Sequence, residues 1–405
     1  MIIAGQLSSL HSSEEMLEPN SVSRYLGDLT RVIPLDILVT GWEERPKLFE
    51  LITGKNTRFA EQNFLWYPFL SDYPEMENSH LIINFESERS AGWDGYAGSG
   101  IKETFKQACP NNPLAITTAL THMERLLTKY NFDGVMIDKI RFPSFANGIK
   151  DVFSCFCPYC RQKAAKYDLD LDEIQRSLRS RDIQRFIGEF DINAVNGLIG
   201  YQWVLELFSQ TPFSRFIQFR CESILDVVRQ ISEKTKSLGK GLSMDVFSPS
   251  LTLLVGQDLS RLKDYADWVK PMIYRFGHGP SSLRSEIPAL IKDVCDFFHL
   301  DQQRFLQWMY LHVDGLDSAK LEEIEKVAPL KFLLSESISI KKILKKTPVY
   351  LGLESVYIPG KLDIFPEHVE EIIENGKISG VDGFVLSWDL LHTPLRNLIP
   401  LKSLL

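Results

Sequence analysis

The feature that most constrains this chain is an alternation. A short apolar stretch, a polar loop and a stretch of helical periodicity follow one another along most of its length. Eight apolar stretches read as strands: "LDILVTGW" (35–42), "NFLWYPF" (63–69), "LIINFE" (81–86), "DGVMID" (133–138), "LSMDVFS" (242–248), "WVKPMIY" (268–274), "VYLGLES" (349–355) and "GFVLSWD" (383–389). Strands that alternate with helices build parallel sheets, because each helix carries the chain back to the same edge. About eight such units predict an α/β fold of the (β/α)8 barrel type. A doubly wound open sheet is the alternative, with its ligand crevice where the strand order reverses.

The spacing is uneven. About a hundred residues separate the fourth stretch from the fifth, far more than one crossover needs. Residues 150–237 therefore hold an insertion of several helices, and "FSRFIQFRCESILDVVRQISEKT" (213–235) is read as the true fourth barrel helix. Residues 281–346 also hold more helix than one unit requires. No Pro/Gly/Ser-rich linker flanks either stretch. The expected organisation is one decorated barrel domain over 1–405, with the barrel at about 30–400 and the helical insertion at about 150–212.

The formal net charge of −8 argues against a nucleic-acid partner, which rewards basic surface. No apolar run is long enough to span a bilayer. The first residues, "MIIAGQLSSLHSSEEMLEPN", lack a basic region followed by a clean apolar core, so the expected location is cytoplasmic. An exported form trimmed of its signal would read the same way.

Alternate residues of a strand face opposite sides, and in a barrel one side packs on helices while the other lines the interior. In the fourth strand Val135 and Ile137 share one face, with Met136 and Asp138 on the other. In the fifth, Ser243, Asp245 and Phe247 oppose Leu242, Met244 and Val246. In the seventh, Gly352 and Glu354 oppose Val349, Leu351 and Leu353. The mixed faces fit the interior. The same rule turns Asn84 and Glu86 of the third strand inward, with Lys270, Met272 and Tyr274 of the sixth, and brings Thr40 and Trp42 to the end of the first. The eighth strand leaves Trp388 and Asp389 as alternatives. Polar and aromatic residues thus gather at the C-terminal strand ends, where barrels build their sites.

Two carboxyl groups facing each other among aromatic walls suit glycosidic cleavage. One protonates the leaving oxygen, and the other acts as nucleophile or as base for water. Asp138 and Glu354 are the preferred pair, with Asp245 and Asp389 in reserve. Trp42, Trp66, Tyr67, Trp93, Tyr274 and Trp388 fall at or just after strand ends and could stack on sugar rings, although a single aromatic is more often core. Arg141, Asn84 and Tyr274 are further candidates for holding hydroxyls. An ion pair of Asp138 with Lys139 or Arg141 that merely closes the rim is the plainer reading.

The stretch "YNFDGVMIDKIRFPS" (130–144) resembles the fourth-strand motif of bacterial glycoside-hydrolase-like TIM-barrel proteins, D-G-x-x-x-D-x-x-R-[FY]-P. "ACPNNP" (108–113), "DVFSPS" (245–250), "DWVKPMIY" (267–274) and "GVDGFVLSWDLL" (380–391) are similar to that group in the same order. The resemblance covers about residues 30–400. It implies a (β/α)8 barrel, a glycosidase acting on an oligo- or polysaccharide, and motif roles for Asp133, Asp138 and Arg141. It names no substrate. The chitinase strand D-G-x-D-x-D-x-E is not met, since Met136 and Ile140 stand at its second acid and catalytic Glu. A substrate-assisted mechanism is therefore not expected. A non-catalytic carbohydrate-binding or scaffold protein on the same barrel is the rival reading, and a metal-dependent hydrolase is a third.

"CFCPYC" places Cys155, Cys157 and Cys160 in the loop after the fourth strand. Cys109 lies on the same side and could complete four ligands for a structural Zn²⁺, as could Cys221. Free or disulfide-paired thiols and an iron–sulfur cluster are the alternatives. Cys295 reads as an ordinary buried thiol. No cofactor is expected for the catalysis itself.

Overall fold

Eight parallel strands run in chain order around a barrel: β1 (Ile2–Ser8), β2 (Leu35–Gly41), β3 (Ala60–Pro68), β4 (Gly134–Asp138), β5 (Gly241–Phe247), β6 (Trp268–Met272), β7 (Tyr350–Glu354) and β8 (Gly383–Ser387). The computed structural model describes residues 1–54, 58–93, 95, 103–182, 203–208, 211–316 and 320–405. Each strand bonds to its neighbours in sequence, β1 also pairs with β8, and a parallel bridge between Val269 and Val349 joins β6 to β7.

The helix layer is α1 (Pro19–Val32), α2 (Pro46–Thr53), α3 (Pro113–Lys129), α4 (Phe213–Ser237), α5 (Leu283–Phe298), α6 (Leu330–Leu344) and α7 (Pro366–Ser379). Proline opens α1, α2, α3 and α7, where a missing N–H breaks no intrahelical bond. The Asn112 side chain caps α3 by accepting from the N–H groups of Leu114 and Ala115. No described helix is long and apolar enough to cross a membrane.

Period-two alternation sorts the core into two bodies. Ile3, Leu7, Val135, Ile137, Leu242, Met244, Val246, Leu351 and Leu353 face outward into the large strand–helix core. Ala4, Ile37, Val39, Phe64, Trp66, Met136, Trp268, Tyr350 and Val385 form a second, inner cluster. Trp268 and Tyr350 meet at 5.0 Å between ring centroids and Phe64 and Trp268 at 5.6 Å, filling the barrel's lower end. Above them the inward positions become polar. Gln6, Asp245 and Lys270 are all nearly or wholly buried there. Interior side chains in a packed barrel are charged only where partners or function justify the cost.

The structure differs from the sequence expectations in two strands. β1 comes from "IIAGQLS", inside the segment read only for targeting. Its inward residues, Ala4, Gln6 and Ser8, are too small or polar to mark a strand by hydrophobicity. The barrel thus begins at residue 2 rather than about residue 30. Conversely, "LIINFE" is no barrel strand. It makes only isolated antiparallel bridges, Leu81 to Ala108 and Ile83 to Arg89. Its apolar character serves loop packing, with the Phe85 ring 5.6 Å from that of Phe297. One omission and one addition cancel, so β4 remains the fourth strand. The insertion includes helices Pro158–Ala164, Leu171–Ser180 and Trp203–Leu207. Residues 183–202 and 209–210 of the expected insertion lie outside the described residues.

Candidate active site

The mouth at the C-terminal strand ends brings together Asp138, Asp245 and Glu354, with Trp42, Trp66, Tyr274, Trp388, Arg141 and Lys270 around them. The three carboxyl groups arrive differently. Register pairs Ile137 of β4 with Met244 of β5, so the next inward positions, Asp138 and Asp245, are cross-strand neighbours. Adjacent strands lie about 4.8 Å apart. Asp138 accepts the Trp66 indole N–H at 3.1 Å and its neighbour Lys139's backbone N–H at 2.6 Å.

Asp245 is 1% exposed. Its Oδ2 accepts from Lys270 Nζ at 3.0 Å, while its Oδ1 has no hydrogen-bond partner among the described residues. Burial, joined by the charge of Asp138, pushes its carboxyl up to about 7 in spite of Lys270. A carboxyl displaced toward neutral pH by burial and by a neighbouring acid is a candidate for acid–base chemistry. Lys270 is also held by Gln6 Oε1 at 2.7 Å, and Ser387 Oγ donates to the same oxygen at 3.0 Å.

Glu354 is committed elsewhere. Its oxygens accept the backbone N–H groups of Arg275 (2.7 Å), Phe276 (3.0 Å) and Gly277 (2.7 Å). Burial raises its carboxyl above the usual range, and those three donors oppose the rise. The carboxylate therefore fixes the chain leaving β6. Gly352, two residues before it, lets Tyr274 cross close by: a Cβ there would stand 2.9 Å from the Tyr274 ring.

The plainer reading, an ion pair of Asp138 with Lys139 or Arg141, is not met among the described residues. Lys139 Nζ turns to Asp72 (2.5 Å) and Glu103 (2.7 Å), and lies 4.5 Å from the Trp42 ring centroid and 3.9 Å from that of Phe105. Burial opposes its charge, yet Asp72 and Glu103 together hold it above the ordinary lysine range. Arg141 donates to its neighbour Phe142's carbonyl at 2.9 Å and lies over the Phe247 ring at 4.7 Å. Burial lowers its guanidinium's pKa, against the charges of Glu286 and Asp138.

Trp42 and Trp66 meet edge to face at 4.9 Å, and His11 stands 5.1 Å from Trp388, all ring-centroid distances. Tyr67 faces the helix layer instead, donating to the Ala119 carbonyl at 3.0 Å. Trp93 stands edge-on to Phe105 at 5.5 Å.

Two candidates lie elsewhere. Asp389 is wholly buried and does not line the mouth. It accepts from the N–H groups of Ser8 (3.2 Å) and Leu391 (3.2 Å) and from Ser12 Oγ (2.9 Å), tying β8 to the loop after β1. Strand alternation ends at Ser387, so it stops governing the two residues that follow, and Trp388 takes the mouth. Asn84 sits in the misread stretch. Its side chain accepts from the N–H groups of Glu86 and Glu88 and donates to Asp151 at 3.2 Å, closing a turn away from the mouth.

Sequence reasoning missed His11 and Glu103, which meet at 3.3 Å on the rim. Recognising β1 would have drawn attention to His11 in its following loop. Glu103 lies in a long loop with no periodic signal. Glu286 was also missed. It receives Ser144 Oγ at 2.6 Å and the N–H of Ser281 at 2.9 Å, bracing the loop that lines the mouth.

Cys109, Cys155, Cys157 and Cys160 do not line the mouth; they are buried with all four Sγ atoms within 4.8 Å of one another. Cys221 is not part of this group. A tetrahedral Zn²⁺ with Zn–S near 2.3 Å would set its sulfurs about 3.8 Å apart, and two of the pairs stand at 3.4 Å. Burial pushes the Cys109 and Cys160 thiols up, whereas hydrogen bonds, first from Cys109, pull Cys157 down. Four sulfurs in this arrangement can hold a metal ion.

No family model matches the sequence, and no curated protein matches it. Its fold does match solved structures. The glycoside hydrolase domain of PgaB (BpsB) from Bordetella bronchiseptica superposes with a TM-score of 0.58 at 12% identity, over 96% of this chain and 95% of that one. The catalytic domain of a beta-amylase from Paenibacillus polymyxa gives 0.53 at 10% identity, over 99% and 97%. The chain has a glycoside-hydrolase-like TIM barrel.

Proposed function

We propose that this protein is a glycoside hydrolase of an oligo- or polysaccharide, with Asp138 and Asp245 as its working carboxyl pair. The observation that carries this reading is Asp245: a mouth-lining carboxyl with one unpaired oxygen, held to about 7 by burial and by Asp138. As the glycosidic C–O bond breaks, Asp245 gives its proton to the leaving oxygen and the Asp138 carboxylate meets the positive charge that develops on the sugar ring; water then adds to the anomeric carbon and its proton returns to Asp245. Trp42, Trp66 and Trp388 supply apolar walls for the sugar, and Arg141 and Tyr274 face its hydroxyls. Glu354 shapes the β6 loop and does not exchange the proton, because three backbone donors already occupy it. The four-cysteine cluster holds a structural Zn²⁺, which supplies cross-linking of loops and no step of the cleavage.

The test is release of reducing ends from a panel of glucose and N-acetylglucosamine oligo- and polysaccharides. Wild-type protein cleaves at least one. The substitution Asp138→Asn lowers that rate by about 10²–10⁴-fold, the usual worth of such a group, with the circular-dichroism spectrum unchanged. Saturable binding without cleavage across the panel would instead favour the carbohydrate-binding alternative.

A further inference from the structure

The four cysteines are surrounded by N–H donors aimed at sulfur. Cys155 Sγ accepts from the backbone N–H groups of Ile83 at 3.3 Å and Cys157 at 3.4 Å. Cys109 Sγ accepts from the Asn111 backbone at 3.3 Å, and Cys160 Sγ from Asn111 Nδ2 at 3.3 Å. Cys157 Sγ accepts from the Cys160 N–H at 3.5 Å. Every sulfur is thus an acceptor. Donors converging on sulfur favour the thiolate, the form in which cysteine binds metal.

A second observation is independent of the sulfurs. Arg220 of α4 is fully buried, and none of its three guanidinium nitrogens has a hydrogen-bond partner among the described residues. Among the described residues it lies over two rings, that of Phe142 at 4.5 Å and that of Phe216 at 5.7 Å. Guanidinium groups are among the strongest donors in proteins, and leaving five N–H groups buried without acceptors is costly. A charge placed this way needs a countercharge nearby.

Packing points to where that charge lies. Phe216 stacks on Phe156, the residue between Cys155 and Cys157, at 5.8 Å. Ser223, three residues after Arg220 on α4, accepts from the same Asn111 Nδ2 that reaches Cys160, at 2.9 Å. Burial lowers the guanidinium's pKa, and the groups that act against that are Cys221 first, then Cys155 and Cys160 of the cluster. Four neutral thiols offer Arg220 nothing. A divalent ion on four thiolates carries a net charge of −2 and answers it.

We propose that Arg220 is the buried countercharge of a dianionic tetrathiolate metal centre at Cys109, Cys155, Cys157 and Cys160. This rests on the zinc reading above. The guanidinium and the loaded centre stabilise each other through the aromatic layer of Phe142, Phe156 and Phe216. Without metal the same arginine is an unanswered charge in the core.

The experiment compares wild-type protein with Arg220→Met and Arg220→Lys. Zinc content per chain, zinc affinity in competition with a chromophoric chelator, and melting temperature with and without metal are measured. Wild type should hold one zinc per chain. Arg220→Met should weaken zinc binding about 10–100-fold, the usual effect of removing an outer partner of a metal site. Arg220→Lys, which keeps the charge, should stay within a few-fold of wild type. The melting temperature should show opposite signs: Arg220→Met lowers it in zinc-loaded protein and raises it in metal-free protein. Wild-type affinity in Arg220→Met, or equal losses in Met and Lys, would overturn the countercharge while leaving the metal centre standing. Wild-type protein that takes up no zinc, and shows no thiolate-to-metal absorption with cobalt, would overturn the metal centre itself. If Arg220→Met does not fold, Arg220→Gln gives the same reading.

Discussion

The mouth and the cysteine cluster are two buried polar sites of one barrel, and they are finished differently. At the mouth the accounting is left open. Asp245 keeps an oxygen without a partner among the described residues and a carboxyl displaced to about 7. In the cluster every sulfur accepts a hydrogen bond, and the four atoms converge on one point. A site that must exchange a proton keeps spare capacity, while one that must hold a fixed charge saturates its atoms. This contrast is what supports the proposal of chemistry at the mouth and architecture at the cluster.

The sharpest break in that contrast is Asp245→Asn. It removes the displaced proton and should lower cleavage by about 10²–10⁴-fold, measured as reducing-end release, with little change in fold. The same group sets a pH limit. Its folded pKa lies above the ordinary carboxyl value of about 3.9, so the active, protonated form is lost as pH rises through about 7. The sign for stability agrees: the contribution of that proton is full below about pH 4 and lost as pH rises through about 7. A pH–rate profile flat from pH 6 to 9 would remove Asp245 from the proton role.

Next in size is Cys157→Ser, or removal of metal by a chelator. Either should lower stability by several kcal/mol in thermal melts, because binding energy at such a site is folding energy. An unchanged melting temperature would leave the cluster as four plain thiols.

Smaller again is Glu354→Gln. An amide cannot accept all three backbone N–H groups, so a loss of about 1–3 kcal/mol in stability is expected. Denaturant unfolding would show it. Asp389→Asn should behave alike at the β1–β8 junction, since it too serves backbone donors. Asn84→Ala should leave cleavage unchanged, because it lies away from the mouth.

Much of this was legible in the sequence where one rule governed. Strand alternation placed Asp138, Asp245, Lys270 and Glu354 inside the barrel, and the C-x-C-x-x-C spacing grouped three of six cysteines while leaving Cys109 and Cys221 as alternatives for the fourth. The rule failed where strands end or start inconspicuously. Asp389 follows the last ladder residue of β8, where direction is set by the turn. β1 hides because its interior positions hold Ala4, Gln6 and Ser8, and Asn84 misled because apolar residues also pack beneath loops. Which carboxylate is free and which is occupied depends on backbone donors from another strand's loop, as with Glu354, and no local pattern encodes that. The buried Arg220 was invisible for the same reason: its meaning lies in what surrounds it.

The most direct test of the mouth is a carboxyl titration by carbon NMR, in wild type and in Asp138→Asn. One carboxyl, assigned to Asp245 by its loss in Asp245→Asn, should titrate near 7 and move downward when Asp138 is neutralised. An Asp245 that titrates in the ordinary carboxylate range, or is indifferent to Asp138, would contradict the paired acid on which this reading of the barrel rests.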